Sequence, residues 1–358
     1  MSGDLHYTYP RVRHLYETMR TIPLITVDAS FDRGEKHAHE IVPVFLDVAP
    51  LQAISLPSQV FRITDEPLKI PFAVQNYFPK KAAGRVKAAV PNGWDAVNSE
   101  FVIAKEDSVY NDTVTIMSPR SLPEGSYPIS ICIDADTAQV TLKKFGVAVA
   151  TGLNIGIVQS YDDVFSDVLH GLKVEHRLLT EKELSSGELQ SYSAIVIDIR
   201  AYLVRQDLVR NNSRMLDYVK NGGTLIVMYQ REQEWKPEFA PYPFSLSRNR
   251  ITYETAPVQV LKPEHALFNI PNKIDATAWD DWVQERAVYM PANVPAQYER
   301  LLSSADPDEP PLDTGLLFAR YGKGQYLYSS YVWYRELKEV NKGAFRMFAN
   351  MISLASGR

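Results

Sequence analysis

Apolar and polar residues alternate along a series of short segments in the first part of the chain. Leu68–Val74 and Ser126–Ile131 show this pattern, and Pro and Gly residues separate such segments between positions 40 and 150. A period of two directs alternate side chains to one face of a strand. Several short strands at this spacing are typical of an antiparallel β-sandwich. The pattern therefore predicts an all-β domain over residues 42–150, after an N-terminal extension of residues 1–41.

The pattern changes at about residue 153, where apolar runs replace the alternation. Segments of helical spacing, Asp162–Leu172 and Leu203–Asn221, separate these runs. The apolar runs have the length of strands: Leu153–Gln159, Ala194–Ile199 and Leu225–Met228. Apolar strands that alternate with helices are typical of a parallel sheet covered by helices on both faces. Residues 151–358 are therefore predicted to form a doubly wound α/β domain.

The rest of this half is less regular. Residues 233–309 are rich in Pro, aromatic and charged residues, and a segment of this length without periodicity indicates inserted loops and short elements. Leu316–Tyr321 and Gly324–Ser330 then have the character of a hairpin or of adjacent strands. Phe345–Leu354 is predicted to be a closing amphipathic helix.

Length and charge narrow the class of protein. A chain of 358 residues favours two domains. A net charge of −5 argues against nucleic acid as a partner, since nucleic-acid binding needs a basic face. No apolar run reaches the roughly 20 residues of a membrane-spanning helix, and the N-terminus has no signal-peptide pattern. The compartment stays open: periplasmic or extracellular if a leader was removed, and cytoplasmic otherwise.

The sequence contains no recognisable cofactor motif and no sufficient set of metal ligands. Cys132 is the single cysteine, which excludes an internal disulfide and a Cys-rich zinc site. His37 and His39 would share one side of a strand, but two ligands are too few for a specific site, and an exposed polar strand explains them as well. We therefore expect neither a cofactor nor a metal.

Polar residues follow each predicted parallel strand. In an open α/β sheet, ligands bind beyond the carboxyl ends of the strands. The polar clusters at these ends are Ser160-Tyr161-Asp162-Asp163, Arg200 with Tyr202, and Tyr229-Gln230-Arg231. They predict a binding site, or a former catalytic site, at this edge of the sheet. The alternative is plain surface, on which Asp162 or Asp163 caps the next helix and Arg200 pairs with one of them.

The inserted segment adds further candidates. Arg250, Trp282, Glu285 and Arg286 combine an aromatic face with charged and donor groups. Such residues suit a sugar or an anion, because aromatic rings stack and the guanidinium fork makes paired contacts. The same residue types also anchor ordinary loops, so both interpretations stand.

Several runs in the second half resemble a known family. They are Val196–Tyr202, Asn211-Asn212, Leu216–Leu225, Pro241-Tyr242-Pro243, Trp282–Arg286 and Tyr321–Gly324. As a set they resemble the C-terminal region of large bacterial PIG-L (LmbE-like) deacetylase-family proteins, over about residues 150–358. The resemblance implies a flavodoxin-like, class I glutamine-amidotransferase-like domain akin to the ThuA-like group.

The first half carries a weaker resemblance. Val90–Trp94 is similar to a run in the Ig-like, NEW3-type sandwich that is found beside this domain and in some glycosidases. The resemblance covers about residues 42–148 and implies an Ig-like β-sandwich. The two resemblances together imply an Ig-like sandwich followed by a flavodoxin-like doubly wound sheet.

Two departures from the family change what can be expected of its chemistry. The PIG-L deacetylase has a zinc motif of the Pro-His-Pro-Asp-Asp type, which this chain lacks. Because the zinc motif is absent, a deacetylase domain or protein enters the prediction only as a candidate partner of this chain. Working amidotransferases carry Cys after the strand that aligns with Leu225–Met228, where this chain has Tyr229. Because a phenol is a poor substitute for a thiolate nucleophile, glutamine hydrolysis is not expected.

The leading interpretation is a non-catalytic, carbohydrate-associated accessory or binding module with its pocket at the strand ends. The expected ligand is a carbohydrate or an anionic small molecule. The residues expected to bind it are Arg200, Tyr202, Tyr229, Gln230, Arg250, Trp282 and Arg286. A second interpretation is a sugar-directed hydrolase or isomerase that uses Asp162 and Glu285 as acid and base. A third is a protein-interaction scaffold.

Overall fold

A computed structural model provides the three-dimensional structure of the protein. It describes residues 51–77, 80–105, 108–134 and 136–357, and it describes two further strands by their backbone alone. These are β1 (Ile25–Arg33) and β2 (Lys36–Val44), which pair antiparallel. The rest of the predicted N-terminal extension lies outside the described residues, as do the side chains of His37 and His39.

The next part of the chain is built of strands, as the alternating pattern predicts. They are β3 (Gln52–Ser55), β4 (Val60–Ile63), β5 (Leu68–Asn76), β6 (Ala82–Ala89), β7 (Asp95–Val97), β8 (Ser99–Ile103), β9 (Ser108–Met117), β10 (Gly125–Ile133) and β11 (Asp136–Lys144). Among the described residues they form a four-stranded sheet, β3-β5-β9-β7, and a five-stranded sheet, β4-β11-β10-β6-β8.

Burial in these strands follows the predicted period of two. In β5, for example, Ile70, Phe72 and Val74 are buried while their neighbours are more exposed. The two sheets therefore confirm a β-sandwich. The prediction that it is wholly antiparallel is wrong at one place, because β4 pairs in parallel with β11. Strands this far apart in sequence have a connection long enough to allow parallel pairing.

The described chain divides into two compact units. The first comprises Met1–Pro57, Lys69–Met117 and Ser130–Gln139, and the second comprises Ser58–Leu68, Ser118–Ile129 and Val140–Arg358. The second unit contains all the elements described below.

Short strands and helices make up the second unit after residue 150. The strands are β12 (Asn154–Val158), β13 (Glu175–Leu178), β14 (Ala194–Ile197), β15 (Thr224–Val227), β16 (Ser245–Leu246), β17 (Val258–Val260), β18 (Pro291–Ala292), β19 (Glu299–Arg300), β20 (Leu302–Ser304), β21 (Leu316–Tyr321) and β22 (Gly324–Ser329). The helices are α1 (Val164–Gly171), α2 (Glu181–Ser186), α3 (Ala201–Val204), α4 (Gln206–Arg210), α5 (Asn212–Lys220), α6 (Trp333–Lys338) and α7 (Lys342–Ser353).

A seven-stranded sheet organises this unit, in the order β13-β12-β14-β15-β22-β21-β19. The first five strands are parallel, and β21 and β22 form the antiparallel hairpin that the sequence suggests. After α5, Gly222 has a φ of 115°, a conformation that favours glycine, and this turn leads directly into β15. Strand and helix alternate, but the prediction omits β13 and α2. The single helix predicted over Leu203–Asn221 is wrong, because the three short helices α3, α4 and α5 occupy this segment.

Both faces of the sheet are covered, which explains why its strands are apolar without alternation. Val196 and Ile226 pack into the core that contains α1 and α7. Their neighbours Ile195 and Leu225 pack into the core on the opposite face, which contains α5. Because successive side chains of a strand point to opposite faces, both must be apolar when both faces are buried.

The predicted insertion consists of loops and short elements. These are the strand pairs β16–β18 and β17–β20 and the 3-10 turns Pro237–Phe239, Ala266–Phe268 and Ala276–Trp279. Large aromatic side chains such as Trp235 and Phe244 are buried and hold the segment in place. None of the helices in the described part of the chain combines the length and apolarity that are needed to cross a bilayer.

Candidate functional site

A buried carboxyl group joins the carboxyl ends of β12 and β14. Asp198 follows β14 directly and is 1% exposed. Its carboxylate accepts hydrogen bonds from the Ser160 backbone N–H (2.9 Å) and hydroxyl (2.7 Å) and from the Ile199 N–H (2.6 Å). Burial raises the pKa of Asp198 to about 6, although the bonds from Ser160 act against this shift. These contacts fix the ends of the two strands relative to each other.

Arg200 lies just beyond this junction in a constrained position. It has a φ of 51°, in the left-handed region that residues other than glycine seldom adopt. Its N–H donates to the Tyr229 carbonyl (2.9 Å). Its guanidinium pairs with Glu234, through Nε (2.6 Å) and Nη2 (2.5 Å) to the same carboxylate oxygen. The Glu234 side chain is 2% exposed and that of Arg200 is 23% exposed, so a buried acid holds a cation that reaches the surface.

An exposed aromatic ring covers this arginine. The guanidinium carbon of Arg200 lies 5.6 Å from the centre of the Tyr161 ring, within the range of a cation–π contact. Tyr161 is 53% exposed. The pair offers an aromatic face and a fixed cation side by side at the ends of β12 and β14.

Tyr229, at the end of β15, lies beneath the surface in a group of tyrosines. It is 5% exposed and stacks near Tyr289 (centroids 6.2 Å apart) and Tyr334 (6.4 Å). Its hydroxyl accepts a hydrogen bond from Arg231 Nε (3.2 Å), and this bond raises the pKa of Arg231. The Arg231 guanidinium also lies 5.6 Å from the Tyr289 ring centre. Arg231 forms no ion pair with any described residue.

Gln230 and Tyr202 are internal. Gln230 is fully buried, and its amide donates to the carbonyls of Asp198 and Met228 (2.9 Å each). Its side-chain oxygen accepts the Tyr202 N–H (3.3 Å). Tyr202 is 2% exposed, stacks on Phe239 with ring centres 4.3 Å apart, and donates its hydroxyl to a buried asparagine. Both residues join elements behind the strand ends instead of presenting groups to the surface.

Trp282 and Arg286 are internal as well. Arg286 is 3% exposed and donates to the carbonyls of Ala256 (2.8 Å) and Trp279 (3.0 Å). Its guanidinium lies 5.2 Å from the centre of the buried Trp282 ring, and burial lowers the pKa of Arg286. These contacts anchor the insertion, as the alternative interpretation of the sequence has it. Arg250, by contrast, is exposed within the insertion.

Asp162 and Glu285 both form ion pairs with residues of helix α6. Asp162 pairs with Lys338 (2.6 Å), and Glu285 pairs with Arg335. Both cations belong to α6 and are three residues apart, so they lie on one side of it. Each candidate carboxylate therefore has a cationic partner.

We name five residues the strand-end site: Tyr161, Arg200, Arg231 and Tyr289, which are exposed or half-buried, and the buried Tyr229, which accepts a hydrogen bond from Arg231. The sequence reveals four of its five positions by simple adjacency to strand ends, including Arg231 directly after Gln230. Nothing in the sequence pattern singles out Tyr289, which reaches the site from the insertion, or the buried partner Glu234.

No protein-family model and no curated protein matches the chain. Among solved structures, it is similar to a β-galactosidase from Rahnella sp. R3 (14% identity, TM-score 0.36, 59% of this chain and 31% of that chain). It is also similar to a GH42 β-galactosidase (13% identity, TM-score 0.32, 53% of this chain and 30% of that chain). A third similar structure comprises domains 4 and 5 of the S-layer protein SbsC (19% identity, TM-score 0.20, 35% of this chain and 68% of that chain). The chain thus spans less than a third of the length of either β-galactosidase.

Proposed function

We propose that the protein is a non-catalytic binding module that holds a hydroxylated or anionic small molecule, of the carbohydrate class, at the strand-end site. The observation that carries the proposal is the pair of Tyr161 and Arg200. An exposed ring lies against an arginine that a buried glutamate and a left-handed backbone fix in place. Side chains held in such conformations concentrate at ligand sites.

The topology supports this location. The parallel strands run in the order β13-β12-β14-β15-β22, which corresponds to 2-1-3-4-5 along the chain. This is the order of flavodoxin-like sheets, in which ligands bind where the strand order reverses. That reversal lies between β12 and β14, the strands that carry Tyr161 and Arg200. We accordingly propose a flavodoxin-like, amidotransferase-like domain over residues 151–358, preceded by an Ig-like domain over residues 42–150.

The surroundings of Tyr229 support a role in binding without catalysis. In folds with a nucleophile at the end of a strand, the nucleophile occupies a strained turn that leads into a helix. Tyr229 is not among the described residues with positive φ, and turns and a short 3-10 segment, not an α-helix, follow β15. Its hydroxyl is occupied by Arg231. Tyr229 therefore serves as a buried support for the Arg231 guanidinium.

Each residue of the strand-end site then has a physical role. Arg200 and Arg231 donate hydrogen bonds to hydroxyl or carboxylate oxygens, since a guanidinium presents several donors in one plane. Tyr161 and Tyr289 offer aromatic faces, which pack against the C–H faces of a sugar ring. The buried residues Gln230 and Arg286 keep the strand ends and the insertion in position.

The alternatives predict different behaviour. A hydrolase or isomerase with Asp162 and Glu285 needs both carboxyl groups to face one substrate, whereas Asp162 pairs with Lys338 and Glu285 pairs with Arg335. Turnover of sugar substrates that is lost in Asp162→Asn would establish that activity. A scaffold, or a partner of a deacetylase, would instead retain its protein partner when the strand-end site is changed.

The binding proposal is tested with Tyr161→Ala and a matched control. Tyr253 is also 53% exposed but lies in the insertion, so Tyr253→Ala removes an equally exposed ring elsewhere. The probes are glucuronate, galactose and N-acetylglucosamine, measured by calorimetric titration. We expect Tyr161→Ala to weaken the probe that binds best by about fivefold, the value of about 1 kcal/mol for such a contact, and Tyr253→Ala to leave it unchanged. Equal affinity in wild type and Tyr161→Ala would refute the site.

A further inference from the structure

A separate cavity of about 610 Å³ lies in the second unit, between β4 and the helices α1, α6 and α7. Its walls are largely apolar and include Val60 on β4, Val168 on α1, Leu337 on α6 and Phe345 on α7. A volume of this size holds a small organic ligand. Neither the strand-end site nor its ligand accounts for this cavity.

Carboxylates line the cavity at the start of α1. Asp163 and Asp167 are four residues apart, and the Asp167 N–H donates to the Asp163 carbonyl (2.8 Å), so they share one face of the helix. Like charges at this spacing repel each other. Partial burial, followed by the charges of Asp163 and Asp162, raises the pKa of Asp167.

These two carboxylates have no cationic partner among the described residues. The nearby Lys338 pairs with Asp162 instead. Asp163 accepts a hydrogen bond from the neutral amide of Gln159, and its side chain does not cap α1. The side chain of Asp167 makes no hydrogen bond or ion pair with the described part of the chain. Asp163 and Asp167, both exposed, are thus the two carboxylates of the lining that form no ion pair with a described residue.

Two cations also line the cavity: Lys338, which pairs with Asp162, and Arg62 on β4. Arg62 packs over the rings of Phe145 (5.3 Å) and Phe345 (5.6 Å), and burial lowers its pKa. Its Nε has no hydrogen-bond partner among the described residues. A positive charge thus occupies the strand wall, and a ligand cation would avoid that wall and turn toward α1.

We propose that this cavity binds an amphipathic organic cation, with its ammonium group beside Asp163 and Asp167 and its apolar chain against the walls formed by α1, α6 and α7. The charge on α1 selects the cation, and the apolar lining selects the chain. The proposal does not depend on the strand-end site.

Calorimetric titration with n-hexylammonium, n-hexanol and n-hexanoate tests it, since these probes share a chain and differ in charge. We expect hexylammonium to bind about fivefold more tightly than hexanol, and hexanoate to bind more weakly than either. The variant Asp163→Asn/Asp167→Asn should abolish the preference for the cation. The control Asp217→Asn/Glu188→Gln removes two exposed charges elsewhere and should keep it.

A second variant locates the binding. A Cβ atom on Gly171 meets no atom within 4 Å, so Gly171→Phe should fold and partly fill the cavity that this residue lines. We expect it to weaken hexylammonium and hexanol alike by at least about fivefold. Absence of hexylammonium binding to the wild type, equal or tighter binding of hexanoate, or an unchanged preference in the double aspartate variant would each overturn the proposal.

Discussion

Glu336, on α6, makes the stability of the protein depend on pH in a direction opposite to that of a paired carboxylate. It is fully buried, and one carboxyl oxygen accepts the Val283 N–H (3.0 Å). The other oxygen has no partner among the described residues. Burial raises the pKa of Glu336 from 4.5 to about 8, against the weaker opposing effects of the Val283 bond and the charge of Arg286. The folded protein therefore holds a proton on Glu336 near neutral pH.

The size of the effect follows from this shift. The folded state retains the proton while the unfolded chain releases it, so stability falls as the pH rises above about 4.5 and levels off above about 8. Each unit of difference is worth about 1.4 kcal/mol. Between pH 4.5 and pH 7 the loss amounts to about 3 kcal/mol, an order-of-magnitude value that is a large part of the stability of an ordinary domain.

The substitution Glu336→Gln removes the ionisation and keeps an oxygen for the Val283 N–H. The buried amide hydrogens of the new glutamine lower the free energy of unfolding by about 1–3 kcal/mol at every pH. We therefore expect the difference from the wild type to shift in favour of the variant by about 3 kcal/mol between pH 4.5 and pH 7. Urea unfolding followed by tryptophan fluorescence across that range measures it. Glu188→Gln, at an exposed position, should follow the wild type. A constant difference between Glu336→Gln and wild type would refute the reasoning.

Two further substitutions, each with a control, test buried contacts elsewhere in the second unit. Arg286→Met leaves two buried carbonyls without donors and should lower the free energy of unfolding by about 2–4 kcal/mol, whereas Arg300→Met, at an exposed ion pair, should cost less than about 1 kcal/mol in the same urea titration. Gly324→Ala would place a Cβ 2.1 Å from the Val219 carbonyl oxygen, a backbone atom that cannot move aside, and should lower the melting temperature strongly. In the control Gly171→Ala, the added Cβ meets no atom within 4 Å, so the melting temperature should stay the same or rise. Equal melting temperatures for Gly324→Ala and Gly171→Ala would contradict this account.

The central strands of the second unit were accessible from the sequence, because burial on both faces produces continuous apolar runs. All four residues of β14 are buried, and so are all four of β15, which forces continuous apolar runs. The parallel pairing of β4 with β11 could not be predicted from the sequence, because the burial pattern of a strand does not reveal which strand lies beside it. Tertiary pairing decided that feature.

The location of the candidate site followed from topology, but the orientation of its side chains did not. A polar residue at a strand end can point outward to a ligand or inward to a backbone carbonyl, and the sequence is the same in both cases. The side chains of Gln230 and Arg286 point inward, because nearby carbonyl oxygens accept hydrogen bonds from their N–H groups. The side chain of Tyr161 is exposed instead, and only the structure distinguishes the exposed residues from the buried ones.

This division explains how the proposed strand-end site is held rigid. The inner layer, Asp198 and Gln230, is buried and hydrogen-bonded, so it joins the ends of β12, β14 and β15 at no cost in unsatisfied donors. The outer layer, Tyr161 and Arg200, rests on that frame, and Glu234 holds the arginine before any ligand arrives. Binding to such a surface loses little side-chain entropy. A ligand that matches these hydrogen-bond donors would therefore bind more tightly, because the fold already holds the side chains in their binding conformation.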